Sequence, residues 1–351
     1  MVTRNLSYKC VDAWKGKITN EATRLYWIGN YYDMDVYDES ELSAETVDIL
    51  VKKCANIFKE MNLKDKPLIL YLPNVLQLPI ATLASLRIGL TVLPISAMDE
   101  NVGYLRGIIK ESSADTVITV DGFWYGTRLI RSKELLDEAV MDVPIKRILV
   151  IRHVSPDEKM PPPQVHLIGR RPYYLYKVAM KENRDFWWSG FFPKASSDCE
   201  AEILGTEYNP LLLPHKDALL PISMEELQAK IKHVENFAQQ EDINLIISTR
   251  NVFYQILCFI SILKKGATPL IYEGDIKHPD PSRISQLIST YKVTKLIITE
   301  ADLSELLNYK EYITMWELKT LNEIMILGNE ELSEDAGITF GVACKNINLA
   351  L

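Results

Sequence analysis

A unit of strand, buried helix, glycine and strand is written twice in this chain, and that duplication narrows its possible folds more than any other feature. Residues 68–96 read LILYLPNVLQLPIATLASLRIGLTVLPIS. The apolar run Leu68–Leu72 is closed by Pro73-Asn74. Leu76, Ile80, Leu83 and Leu86 recur at helical spacing up to Ile88, Gly89 stops the helix, and a second apolar run covers Leu90–Ile95. Two short apolar runs joined by a helix that is apolar on most faces make a βαβ unit with parallel strands. The second copy has a strand at Leu245–Ser248, a helix at Val252–Leu263, a stop at Gly266 and a strand at Thr268–Tyr272. The offset that separates Gly89 from Gly266 also separates Asn74 from Asn251.

Periodicity extends the pattern on both sides. It predicts a strand at Tyr26-Trp27-Ile28, an acidic loop over residues 31–43, and an amphipathic helix from Ser43 to Glu60 with Ser43 as its N-cap. Helices follow at Asp99–Ser112 and Ser132–Val140, and strands at Thr116–Val120 and Arg147–Arg152. Around the second copy, helices are expected at Ser223–Gln240 and Pro279–Tyr291, and strands at Thr294–Thr299 and Glu323–Leu327. Five elements therefore recur in one order. The expected fold is α/β, with two similar α/β subdomains whose mostly parallel sheets carry helices on both faces. The expected divisions are an N-terminal segment (1–45), a first α/β subdomain (46–152), a Pro/Tyr-rich irregular connection (153–192), a second α/β subdomain (193–308) and a tail (309–351).

Composition excludes several functions. A net charge of −8 gives no electrostatic reason to expect nucleic acid. No run approaches the roughly 18 apolar residues of a membrane span, and residues 1–10 hold Arg4 and Lys9 without the apolar core of a signal peptide. The five cysteines are scattered, odd in number and never in a CxxC, so they read as small buried hydrophobes in a reducing compartment, the cytoplasm or the nucleus. Within the irregular connection, Arg170 and Arg171 with Tyr173, Tyr174 and Tyr176 form the candidate partner-binding segment. Trp187 and Trp188 read as a buried lock, with a surface recognition patch as the alternative.

A series of short runs then points to a family. They are Ser7-Tyr8-Lys9-Cys10-Val11-Asp12, Tyr26-Trp27-Ile28-Gly29-Asn30, Tyr71-Leu72-Pro73, Leu78-Pro79-Ile80-Ala81-Thr82-Leu83-Ala84, Arg87-Ile88-Gly89, and Val117 to Phe123. Further runs are Arg184-Asp185-Phe186-Trp187-Trp188, Lys265-Gly266-Ala267-Thr268, Tyr272-Glu273-Gly274 and Tyr291-Lys292-Val293-Thr294-Lys295. Each is loose, but in this order and spacing the chain resembles the acetyl- and short-chain acyl-CoA synthetases of the adenylate-forming superfamily, from about Asn5 to about Asp335. The resemblance implies the large N-terminal domain of those enzymes. It also implies their chemistry, in which a carboxylate is joined to AMP with ATP and Mg²⁺ and the acyl group passes to CoA.

The positions that would carry this chemistry depart from the family pattern. The resemblance implies a Gly/Ser/Thr-rich loop ending in lysine, whose backbone N–H groups hold phosphate. Here the stretch reads Pro210-Leu211-Leu212-Leu213-Pro214-His215-Lys216-Asp217-Ala218-Leu219-Leu220-Pro221, with no glycine between Thr206 and Lys265. Lys216 reads as a surface lysine. A Trp, a Thr and a His of the family correspond to Asn251, Phe253 and Gln255. Of two basic residues that meet the CoA phosphates, Tyr125 replaces one and Arg128 keeps the other. The motif that meets adenine is reduced to Gly328, Asn329, Glu330 and Glu331. The segments of the Mg²⁺-binding Glu and the ribose-binding Asp, and the small C-terminal domain, are expected to be missing. The leading expectation is a pseudoenzyme without catalytic residues, cofactor or metal site, acting through a protein partner, with an intact acyl-CoA synthetase among the candidates. The alternatives are a short-chain acyl-CoA ligase completed by another chain, using ATP, Mg²⁺ and CoA, and a truncated fragment without selected function.

Overall fold

The computed structural model describes residues 5–33, 36–155, 177–215, 218–328 and 332–348. The chain opens with α1 (Leu6–Cys10), β1 (Thr23–Asp33) and β2 (Val36–Ser43). It continues through α2 (Ala44–Glu60), β3 (Leu68–Leu72), α3 (Gln77–Ile88), β4 (Val92–Ser96), α4 (Val102–Ser112) and β5 (Thr116–Val120). A small hairpin, β6 (Phe123–Tyr125) and β7 (Arg128–Ile130), leads to α5 (Ser132–Ala139) and β8 (Arg147–Ile151). The second half comprises β9 (Asp185–Trp187), β10 (Leu211–His215), β11 (Ala218–Ile222), α6 (Met224–Glu235), β12 (Ile243–Ile247), α7 (Val252–Lys264), β13 (Thr268–Tyr272) and α8 (Arg283–Thr290). It ends with β14 (Lys295–Thr299), α9 (Glu300–Leu307), α10 (Lys310–Ile313), β15 (Glu323–Leu327), α11 (Ser333–Phe340) and β16 (Ala343–Ile347).

Two seven-stranded sheets result. Sheet I runs β11-β10-β4-β3-β5-β8-β9 and sheet II runs β16-β15-β14-β12-β13-β1-β2. Within each, every neighbouring pair is parallel except the terminal hairpin, β10–β11 in sheet I and β1–β2 in sheet II. The α/β architecture with two similar, mostly parallel sheets is as the sequence repeat implies.

The structure lengthens that repeat and crosses it. Each half starts with an antiparallel hairpin whose last strand meets a Ser-capped helix. Ser43 accepts from the Thr46 N–H at the start of α2, and Ser223 forms a capping box with Glu226 at the start of α6. Each hairpin then joins the sheet of the other half. β1 pairs in parallel with β13, aligning Trp27 with Ile271, and β10 pairs with β4, aligning Leu211 with Val92. The sheets therefore do not follow the linear divisions of the chain. Residues 23–43 complete the second sheet, 211–222 complete the first, and β15 and β16 from the expected tail extend the second.

The acidic run expected as a loop is strand. β2 lies at an edge, where Glu39 and Glu41 reach solvent and Leu42 turns inward, so the acidic residues cost little. Within the proline-bounded stretch 210–221, residues 211–215 and 218–221 are strand as well, because Pro214 and Pro221 fall in a hairpin at the edge of the other sheet. α3 and α7 are buried on nearly every face, and α7 touches β12 and β13 of its own sheet and β4 of the other. Gly89 and Gly266 end these helices at φ +74° and +82°. A Cβ on Gly266 would lie 2.5 Å from the Trp14 indole, so the stop also makes room for packing. Four of the five cysteines are buried, and burial pushes the Cys10 thiol up to about 12. Among the described residues no helix is long and apolar enough to cross a membrane.

Candidate functional site

Two cavities open beside the carboxyl ends of the parallel strands, the usual ligand position in open α/β sheets. One, of 590 Å³, is lined by Pro94–Ser96 and Asp99 after β4, Leu213 and Pro214 of β10, and Arg250–Phe253 at the start of α7. The other, of 780 Å³, is lined by Thr249–Asn251, Tyr254, Glu300, Asp302, Glu305 and Gly328, among others. They share Arg250 and Asn251. Local structure consumes several of these groups. The Asn251 side chain caps α7 by accepting from the Tyr254 N–H at 3.0 Å. Asp302 accepts from Thr249 N at 3.1 Å, Thr249 Oγ1 at 2.5 Å and Thr299 Oγ1 at 2.6 Å, tying the ends of β12 and β14 together.

The sequence-derived candidates fall into separate places. Arg128 is exposed on β7 and forms an ion pair with Glu100. Tyr125, opposite it in the hairpin, has its hydroxyl pushed above the ordinary tyrosine range by burial and the nearby Asp275 carboxylate. Gly328 follows β15 and donates its N–H to Ile347 at 3.1 Å. The Glu300 side chain packs against its Cα, so that a Cβ there would meet the Glu300 carboxylate. Phe253 and Gln255 are buried in α7, and both ends of the fully buried Gln255 amide lack a hydrogen-bond partner. Trp188 is 7% exposed, with its ring against Phe58 and Phe192. Trp187 is half-buried, with the Arg152 guanidinium 3.9 Å over its ring. Lys216, Asn329, Glu330, Glu331, Arg170, Arg171, Tyr173, Tyr174 and Tyr176 lie outside the described residues.

The stretch in the place of the phosphate loop has a definite geometry. β10 and β11 pair from Leu211 with Ile222 to His215 with Ala218, which leaves two residues for the connection. The two strands share ladder hydrogen bonds, the Leu219 N–H donates instead to Glu111 Oε1 at 3.0 Å, and Pro214 and Pro221 have no N–H to give. Across the two cavities, Asp99, Glu300, Asp302 and Glu305 face Arg250. Such a lining brings negative charge to the ends of the strands.

No family model matches the chain. The acetyl-coenzyme A synthetase of Pyrobaculum aerophilum is 27% identical over 346 residues, covering 92% of this chain and 48% of that protein. The synthetase of Leptospira biflexa is 26% identical over 93% of this chain and 48% of its own length. That of Bdellovibrio bacteriovorus is 24% identical over 83% and 43%, respectively. The chain is a relative of the acetyl-CoA synthetases. It spans about half the length of the curated relatives it matches.

Sequence reasoning misses one feature of this acetyl-CoA synthetase relative, a buried link between the sheets. His153, just past β8 of sheet I, meets Glu273, just past β13 of sheet II, with Nε2 and Oε1 2.7 Å apart. Glu273 stands in one of the family-like runs, but its partner is distant in sequence, and no local signal marks the pair. Burial lowers the His153 pKa, but the Glu273 carboxylate outweighs it and raises the net value above the ordinary 6.5. A raised folded pKa means a stabilisation that is full below 6.5 and fades as the pH climbs through the folded value. His153→Gln should therefore flatten the decline in Tm as the pH rises above about 6.5. An unchanged slope in a pH series of thermal melts would refute this.

Proposed function

We propose that this chain works by binding and not by adenylation, on the frame of an acetyl-CoA synthetase. The observation that carries the reading is the two-residue connection between β10 and β11. Gripping a triphosphate takes several backbone donors converging on it, and a two-residue connection between strands that carry Pro214 and Pro221 leaves little backbone for that. The acidic lining of the strand-end cavities, the packing of Glu300 on Gly328 and the pairing of Arg128 with Glu100 support the same reading. The partner we propose is a protein, with a full-length acyl-CoA synthetase as the first to test, in a reducing compartment that keeps the free thiols intact. In ATP–pyrophosphate exchange with Mg²⁺ and acetate, propionate or butyrate, the chain should stay at the blank level. Robust exchange that disappears on Lys216→Ala would overturn the proposal.

A second reading is favoured by the printed function of the relatives, all named acetyl-coenzyme A synthetase. In it, the chain contributes to a short-chain acyl-CoA ligase, and a further polypeptide supplies the groups for ATP, Mg²⁺ and CoA. A ligand that binds the folded state must raise its Tm. ATP, AMP or CoA at millimolar concentration raising the Tm would favour this reading, and an unmoved Tm with all three would reject it.

A further inference from the structure

A third cavity shares no lining residue with the strand-end pair and carries a different chemistry. It measures 330 Å³ and lies where the ends of β1, β8 and β13 meet the β6–β7 hairpin. Tyr31, Tyr32, Asp38, Trp124, His153 and Glu273 wall it. Glu273 is 5% exposed, and its carboxylate is only half used, because Oε1 meets His153 and Oε2 has no hydrogen-bond partner. A buried carboxylate oxygen in that state carries a desolvation cost that a cation lying against it would lower. The three aromatic residues add ring surface, whose negative faces attract cations. Tyr32 already serves this way, with the Arg283 guanidinium 4.4 Å over its ring. Asp38 places a second carboxylate on the same wall. The Trp124 Nε1–H is a buried donor with no partner. It asks for an acceptor on the same ligand.

We propose that this cavity binds a small organic ammonium ion that also carries an oxygen acceptor, the cation lying against Glu273 and the rings and the oxygen at Trp124. The inference holds whether or not the chain adenylates a carboxylate. Calorimetric titration of the whole chain with choline, tetramethylammonium and the neutral isostere 3,3-dimethylbutan-1-ol tests it. Choline should bind at least about tenfold more tightly than the isostere, and Glu273→Gln should weaken choline by about tenfold or more. Trp124→Phe should erase the preference for choline over tetramethylammonium and leave tetramethylammonium binding unchanged. Equal affinity for the isostere, an unchanged Glu273→Gln variant, or no binding of either cation at about 10 mM overturns the proposal. If Glu273→Gln fails to fold, the Trp124→Phe comparison decides, because a preference that survives in it sinks the inference.

Discussion

Arg87→Met is expected to cost about 3–5 kcal/mol of stability, the range for breaking a buried ion pair by removing one partner. Arg87 sits in the last turn of α3 and is 1% exposed. Its guanidinium donates to both carboxylate oxygens of Asp12, at 2.7 and 2.9 Å, and to the Cys199 carbonyl at 2.6 Å. Methionine fills much of the volume but leaves the Asp12 carboxylate and the carbonyl without their donors. The pH dependence separates this loss from a packing defect. Burial works to raise the Asp12 pKa, but the guanidinium outweighs it and holds the carboxyl below its ordinary 3.8. A depressed folded pKa means a stabilisation that is full above 3.8 and is lost as the pH falls through the folded value. Urea unfolding at pH 7 should show the loss, and the variant should lack this part of the acid slope below about pH 4. A difference under about 1 kcal/mol at pH 7 would show that the bidentate pair is not anchoring the N-terminal segment to α3.

Asp121→Ala should be comparably damaging, at about 3–5 kcal/mol, because one carboxylate satisfies four backbone donors. Asp121 is fully buried just past β5. Oδ1 accepts from the N–H groups of Gly122 at 2.8 Å, His153 at 2.9 Å and Val154 at 3.0 Å, and Oδ2 accepts from Ser155 at 2.8 Å. Alanine would leave these donors unpaired in a buried corner, the costly side of hydrogen-bond energetics. Asp121→Asn keeps one acceptor oxygen but turns an NH₂ group toward donors, so a smaller loss of about 1–3 kcal/mol is expected. Since the corner also positions His153, both variants should loosen the link to Glu273. Amide exchange at residues 153–155 should rise sharply in Asp121→Ala, and native-like protection there would contradict the assignment.

The central strands and buried helices are legible because their causes are local. Leu68–Leu72 and Leu245–Ile247 are short apolar runs, and Gly89 and Gly266 end helices in the left-handed conformation that favours glycine. The two hairpins are not legible, because their strand character comes from partners far away in the chain. Residues 36–43 carry Asp38, Glu39 and Glu41, which suit an edge, and only pairing with β1 makes them a strand. Residues 211–222 carry prolines that argue against a strand until β4 and an edge position accommodate them. At the candidate site, residue types are legible where the reading concerns what a single position offers, as with the prolines of the stretch 210–221, which have no N–H. They fail where two distant groups meet, as with His153 and Glu273, or where one side chain covers another position, as Glu300 covers Gly328.

The exchanged hairpins set an order of events for the growing polypeptide. β1 and β2 leave the ribosome first, yet β1 has no sheet to join until β13 emerges more than two hundred residues later. Sheet I, whose inner strands are made early, keeps an open edge along β4 until β10 and β11 appear. Neither sheet can close on the nascent chain from one half alone. An unpaired strand edge therefore stays exposed until both halves have been made, which makes late closure the natural folding route. A gene split between the halves would yield two pieces, each carrying the hairpin that the other needs.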